Sequence, residues 1–424
     1  MKEYVIKYGD RDLKFQLPGA NVIWEADIGL ARQEITDAMI AAAIRRPIGG
    51  KTLTELIRDE GRRKIVILVD DGTRITPQQR ILPLLVEALR EAGAALEEVT
   101  ILIALGSHRP MNRAECIARY GQGIVDTIKI VNHNYDDPEQ LVDLETTSSG
   151  IPIRVNRLYY ESELSIAVGT IVPHLYAGWS GGCKMIQPGV CGKETTAMTH
   201  LLAARNCREI LGNIDNPVRR EIDEVGIRSG LRFIVNTVID AEGQVAGVVA
   251  GDPLQAHRAG VKIAEELSCY AIPEPAEIVI ATSHPADRDF WQANKGFNAI
   301  PAGIKPGGTL IFVSPCPEGN APDHPLFCQM GTTPLPEVEA GLKEGRYPDG
   351  IGIATYIAMA KAREGMNTIM VSEGMDAIES RRMGFDWAPD LESAIRAART
   401  RHGETATIGI VHHSADIILR VNHH

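Results

Sequence analysis

The chain has 424 residues, with 44 Lys and Arg against 55 Asp and Glu for a formal charge of -11, and 44% of its residues are hydrophobic. That apolar content excludes a disordered chain, and domains of roughly 100–200 residues make two lobes the expectation. The acidic balance, with no run of Lys or Arg, argues against a nucleic-acid partner and points to a small ligand.

No apolar stretch approaches the ~18 uninterrupted residues of a membrane helix. The opening Met1-Lys2-Glu3-Tyr4 is unlike a secretory signal, so a cytoplasmic protein is expected, with no membrane as partner. Cys116, Cys183, Cys191, Cys207, Cys269, Cys316 and Cys328 form no C-x-x-C pair, and reduced thiols are the expectation. The terminal His423-His424 carries no chemical weight.

Along the chain, short β-branched runs alternate with longer amphipathic segments, the pattern of parallel strands joined by crossover helices, so the fold class is α/β. Lys64–Val69 reads as a buried strand that stops at Asp70-Asp71-Gly72-Thr73-Arg74 and feeds a helix from Pro77 to Ala92. The next strand, Val99 to Leu105, breaks at Gly106-Ser107-His108-Arg109, and another, Leu164 to Val172, breaks at Pro173-His174. Three polar clusters thus follow strand carboxyl ends, the edge where open α/β sheets bind ligands.

A helix from Leu254 to Leu267 leads into the proline-punctuated Ala271-Ile272-Pro273-Glu274-Pro275, a linker candidate. A second α/β series then runs through Ile278–Ala281, Thr309–Val313, Ile369–Val371 and Thr407–Val411. The expected organisation is residues 1–270 as a first lobe and 276–410 as a second, with 411–424 a candidate return to the first.

The richest stretch is Pro173 to Gly189, whose Gly178, Gly181, Gly182 and Gly189 let the backbone approach a ligand and whose successive N–H groups can form an anion nest. It is neither a Walker loop nor a dinucleotide fingerprint, and a glycine turn packed on a helix with Lys184 in solvent is the competing reading. His200, in a helical segment from Glu194 to Leu211, reads from its setting more readily as a satisfied core residue than as a metal ligand, and the metal reading needs support from elsewhere. His108 and His174 are candidates beside it, though their spacing matches no zinc signature. Arg74 offers a fork for a carboxylate or a loop-stitching pair with Asp71. Gln292 and Lys295 share a face if helical and suit an anionic substrate. His133, His257, His284, His324, His402, His412 and His413 read mostly as structural or surface.

Together these pieces resemble the nickel-pincer lactate racemase family: Asp70 to Arg74, Gly106 to Arg109, Pro173-His174 with Gly178 to Lys184, His200, and Gln292 with Lys295. The resemblance implies two α/β lobes with mainly parallel sheets and a cleft between them. It implies an isomerase, a 2-hydroxy acid racemase or epimerase, carrying a nickel-pincer nucleotide (a pyridinium-3,5-bisthiocarboxylic acid mononucleotide) tethered to Lys184, with His200 on the nickel. In that reading Asp71, Thr73, Gly181 and Gly182 help hold the cofactor. His108 and His174 are the paired acid/bases of a hydride-transfer inversion, and Arg74, Gln292 and Lys295 anchor the substrate carboxylate.

Enzymes that build the cofactor are implied partners, and a homo-oligomer is left open. Trp291, Tyr347 and Tyr356 are candidates for an aromatic wall at the substrate, which is lactate or a larger, more polar 2-hydroxy acid. Two other readings stand beside it. A zinc-dependent hydrolase leaves Lys184 and its glycine turn unexplained, and a non-catalytic nickel or nucleotide carrier leaves Arg74 and the paired histidines without purpose.

Overall fold

The computed structural model describes residues 1–422; His423 and His424 lie outside that range. Its frame is two six-stranded sheets. In the first, the strands Val245–Gly251, Phe233–Ile239, Leu164–Thr170, Ile65–Val69, Val99–Ile103 and Lys129–Asn132 lie side by side in that order. All pair in parallel except Val245–Gly251 at the edge. Both faces are covered, so the central runs Ile65-Val66-Ile67-Leu68-Val69 and Leu164–Thr170 are buried at every position instead of alternating.

The chain builds outward from Ile65–Val69 to Lys129–Asn132, then returns to lay Leu164–Thr170 on the other side of Ile65–Val69. That reversal is a topological switch point, and it opens a crevice above the carboxyl ends of these two strands. The loops carrying Arg74, His108 and His174 all leave from this edge.

The second sheet runs Asp386–Trp387, Asn367–Val371, Ile304–Val313, Ala276–Thr282, Ile408–Val411 and Val22–Ala26, all parallel. Val22–Ala26 corrects the expected division of the chain, because a strand from the start of the sequence closes the edge of the second body. The reason is burial. The preceding hairpin, Lys2–Tyr8 with Arg11–Leu17, places Tyr4, Ile6, Tyr8, Phe15 and Leu17 in one core with Ile278, Ile280, Ile311 and Ile410.

Near the end of the chain, Ile418–Val421 pairs in parallel with Cys269–Ile272, directly after the helix Gln255–Ser268. A single apolar cluster then runs through both bodies, from Leu68, Trp179 and Val261 to Phe290, Phe312 and Leu419. Among the described residues no helix is long and apolar enough to cross a membrane.

Candidate active site

A cavity of about 170 Å³ lies where the carboxyl edges of the two sheets face each other. The first body supplies Asp71, Thr73, Arg74, Ser107, His108, His174, Gly181, Lys184, Thr196 and His200, and the second supplies Trp291, Lys295, Thr355, Ser414 and Asp416. Of the residues singled out from sequence, Arg74, His108, His174, Lys184, His200 and Lys295 therefore share one wall-to-wall space.

His108 is held from two sides. Its Nδ1–H donates to Asp71 Oδ2 at 2.6 Å, and Asp71 Oδ1 accepts from the Thr73 amide at 2.9 Å and the Thr73 hydroxyl at 2.6 Å. The expected Asp71–Arg74 pair is absent from these contacts, and Asp71 and Thr73 spend their oxygens on orienting His108. Burial alone would raise the Asp71 carboxyl, but His108, Arg74 and the Thr73 bond outweigh it and hold the carboxyl well below the usual carboxylate range. On His108, burial wins over Asp71 and keeps the imidazole neutral below its ordinary range. From the second body, Gln292 Nε2–H donates to His108 Nε2 at 3.2 Å, while Gln292 Oε1 accepts from Lys295 Nζ. Asp289 caps the short helix Phe290–Ala293 that carries Gln292, accepting from its amide at 2.7 Å. Gln292 is thus a link between His108 and Lys295 that sits behind the cavity wall, not on it.

His174 sits in the opposite electrostatic setting. Its Nδ1 accepts the Tyr176 amide at 3.1 Å, which leaves the proton on Nε2. Burial first, then the charges of Lys184, Lys295, Arg74 and His200, push it well below the ordinary histidine range. Lys184 is lowered well below the usual lysine range, by burial and then by Arg74, Lys295 and Arg219, a shift toward the nucleophilic free amine. Lys295 falls to about 7, from burial and then Arg74.

His200 lies on the helix Lys193–Arg205 and donates Nδ1–H to Thr196 O at 2.8 Å, leaving the Nε2 lone pair for the cavity. Burial lowers it to about 3, against the Thr196 bond.

Three amides of the glycine loop are engaged within the protein: Ser180 N on Val172 O, Gly182 N on Asn236 Oδ1 and Lys184 N on Gly181 O. Gly182 is turned away from the cavity. The glycines are required by close packing, because at positive φ a Cβ on Gly181 would lie 2.8 Å from Asn236 Oδ1 and one on Gly182 would lie 2.9 Å from both Arg219 and His257. Arg219, wholly buried and paired with Asp223, braces the loop by donating to Trp179 O, and His257 donates to Ser180 O at 2.8 Å. Cys183 packs against Gly226 in the core.

Several contributors escaped the sequence reading. His324, grouped with the structural histidines, stacks on Trp291 with ring centroids 4.0 Å apart. It donates to Asp349 at 2.9 Å and accepts from Ser107 Oγ at 3.1 Å, so a second-body side chain grips the residue beside His108. Tyr176 packs on His200 at 4.7 Å and donates to Thr355 at 3.0 Å. Trp291 lines the cavity, whereas Tyr347 packs on Gly341 and Tyr356 donates to Thr333 O. Among the described residues no three His, Cys, Asp or Glu side chains converge as metal ligands.

Comparison with known proteins agrees over the whole length. The family model for the lactate racemase N-terminal domain matches residues 8–212, and that for the lactate racemase C-terminal domain matches residues 272–419. The lactate racemase of Thermoanaerobacterium thermosaccharolyticum is 29% identical over 439 residues, covering 99% of this chain and 100% of that protein. That of Lactiplantibacillus plantarum is 29% identical over 388 residues, covering 90% of each. The solved apoprotein of the Thermoanaerobacterium enzyme superposes with a TM-score of 0.87 over 99% of this chain and 100% of its own. A Thermotoga maritima protein at 21% identity shares the fold, with a TM-score of 0.73 over 93% of this chain and all of that one. With both halves matched in order and the cavity lying between them, the chain belongs to the lactate racemase family.

Proposed function

We propose that the protein inverts the α-carbon of a 2-hydroxy acid, acting as a racemase or epimerase. The observation that carries this reading is the pair of neutral imidazoles, His108 and His174, opening on one cavity with Arg74 and Lys295. Inversion needs a proton acceptor for the hydroxyl of either enantiomer and a cationic grip that stays on the carboxylate while the centre turns over. Arg74 supplies a bidentate fork. Lys295, at about 7, gains its proton as the substrate anion enters.

His108, with Asp71 ready to stabilise its imidazolium, takes the hydroxyl proton at Nε2 once substrate displaces the Gln292 contact. His174 serves the other enantiomer once its proton moves to Nδ1 and the Tyr176 amide is released, which frees the Nε2 lone pair for the cavity, and the bound carboxylate offsets the positive charge that depresses it.

The residues fit the nickel-pincer nucleotide that the family resemblance implies. Lys184 offers an amine whose burial favours its nucleophilic form, His200 an imidazole lone pair, and Thr196 Oγ1 is buried in the wall without a partner. Bound there, the group supplies a reversible hydride acceptor for the α-hydrogen, so that the acid passes through a planar 2-oxo form. Lys184 and His200 would hold it; His108 and His174 move only protons. The implied partners are the enzymes that make the cofactor, and the small-molecule substrate is a 2-hydroxy acid.

The test uses protein co-produced with the cofactor-making enzymes. Chiral chromatography should show D- and L-forms of a 2-hydroxy acid interconverting, with a deuterium at the α-carbon slowing turnover. His108→Ala and His174→Ala should each lower the rate by about 10²–10⁴. Full racemisation by either variant would overturn the two-base reading.

A further inference from the structure

The turn that follows the strand Ile408–Val411 brings Ser414 and Asp416 to the cavity beside Lys295. It is tightly specified. His413 adopts φ +42°, rare outside glycine, and is held there by its Nδ1–H bond to Asp27 at 2.6 Å. The Asp416 amide closes the turn on His413 O at 2.8 Å, and the Ser414 amide on Thr282 O at 3.0 Å. Ser414 is 1% exposed, its hydroxyl has no partner, and a Cβ on Gly296 would lie 2.2 Å from it.

Two polar groups on one turn therefore face the cavity unused, in a site where the proposed acid–base pair, tether and carboxylate grip are already supplied by other residues. Burial raises the Asp416 carboxyl, with His413, Lys295, Arg74 and His284 pulling the other way and no hydrogen bond contributing. The buried Ser414 hydroxyl, left without a partner, costs free energy that a ligand hydroxyl recovers.

Resting on the racemase reading, we infer that Asp416 and Ser414 determine specificity by binding a hydroxyl group beyond the α-carbon, so that the substrate class is short polyhydroxy 2-hydroxy acids. A methyl group in that position would leave Asp416 and Ser414 unsatisfied. A second carboxylate would meet Asp416 with like charge, and Arg74 with Lys295 already match a single carboxylate once Asp416 is counted.

The deciding experiment measures kcat/KM of cofactor-loaded protein for 2,3-dihydroxypropanoate, lactate and malate. The dihydroxy acid should exceed both others by about 10²-fold or more, since sites built to bond a hydroxyl reject analogues that lack it. Asp416→Asn, which keeps the shape, should collapse the dihydroxy-to-lactate ratio, and Ser414→Ala should lower it by a smaller step. A preference for lactate or malate, or equal losses on all three acids in both variants, would overturn the assignment. No turnover of any of the three would instead strike the racemase reading on which it rests.

Discussion

The two imidazoles of the cavity are built by opposite means. His108 has a carboxylate behind it and a second-body amide in front, whereas His174 has only a backbone amide on Nδ1 and basic groups, Lys184, Lys295 and Arg74, around it. Both are neutral when the site is empty, but for different reasons: burial overrides a favourable partner at His108, and burial and like charge act together at His174. Two groups of one type, set apart by environment, can share one reaction in two directions. The lesson is that His108 is tuned by its own side of the fold, while His174 is tuned by what enters.

Three experiments bear on that contrast. The largest effect is expected at Asp71→Asn, which removes the charge that stabilises a His108 imidazolium. It should lower kcat/KM about 10²–10⁴-fold, by the same factor for both enantiomers because the equilibrium between them is fixed, as read from initial rates with each enantiomer. An Asp71→Asn variant with full activity would take away Asp71's part in supporting His108.

The second concerns pH. Lys295 must be protonated to hold a carboxylate, and its value of about 7 in the empty site is lowered by burial and Arg74. The charged form is present below that value and lost above it, so kcat/KM should fall as pH rises past about 7, by up to about tenfold per unit. Lys295→Arg should flatten that alkaline limb; a limb unchanged in the variant would assign it to another group.

The smallest effect is expected at His324→Gln, which loosens the Asp349–His324–Ser107 link between the bodies. It should raise KM a few-fold, about 1 kcal/mol for one hydrogen bond, with kcat nearly constant.

Most of the first body was legible because strands that are buried on both faces write continuous apolar runs, and their polar terminators mark a binding edge. The run Ile65–Val69 and the breaks at Asp70, Gly106 and Pro173 needed no knowledge of tertiary structure. Gln292 and Lys295 were also within reach, since three-residue spacing on a short helix puts them in contact. The glycine loop was harder to read, because glycine freedom and glycine smallness leave the same trace in a sequence, and only Asn236, Arg219 and His257 show that close packing needs Gly181 and Gly182.

His324 was invisible for a related reason: its partners Ser107 and Asp349 are 217 positions before and 25 after it. Asp416 was different. The strand-end rule that found His108 applies equally to Val411, and His412-His413-Ser414-Ala415-Asp416 follows it directly. The N-terminal strand carries too few residues to announce which sheet it will join.

That strand has a consequence for how the molecule is made. Val22–Ala26 leaves the ribosome long before its neighbour Ile408–Val411, a delay of roughly 20–80 s at 5–20 residues per second. Until Ile278, Ile280 and Ile311 emerge the greasy side of the opening hairpin has nowhere to dock, so nascent chains should lean on chaperones for much of that interval. A fragment beginning near residue 272 would inherit the complementary defect: a bare sheet margin and an uncapped core.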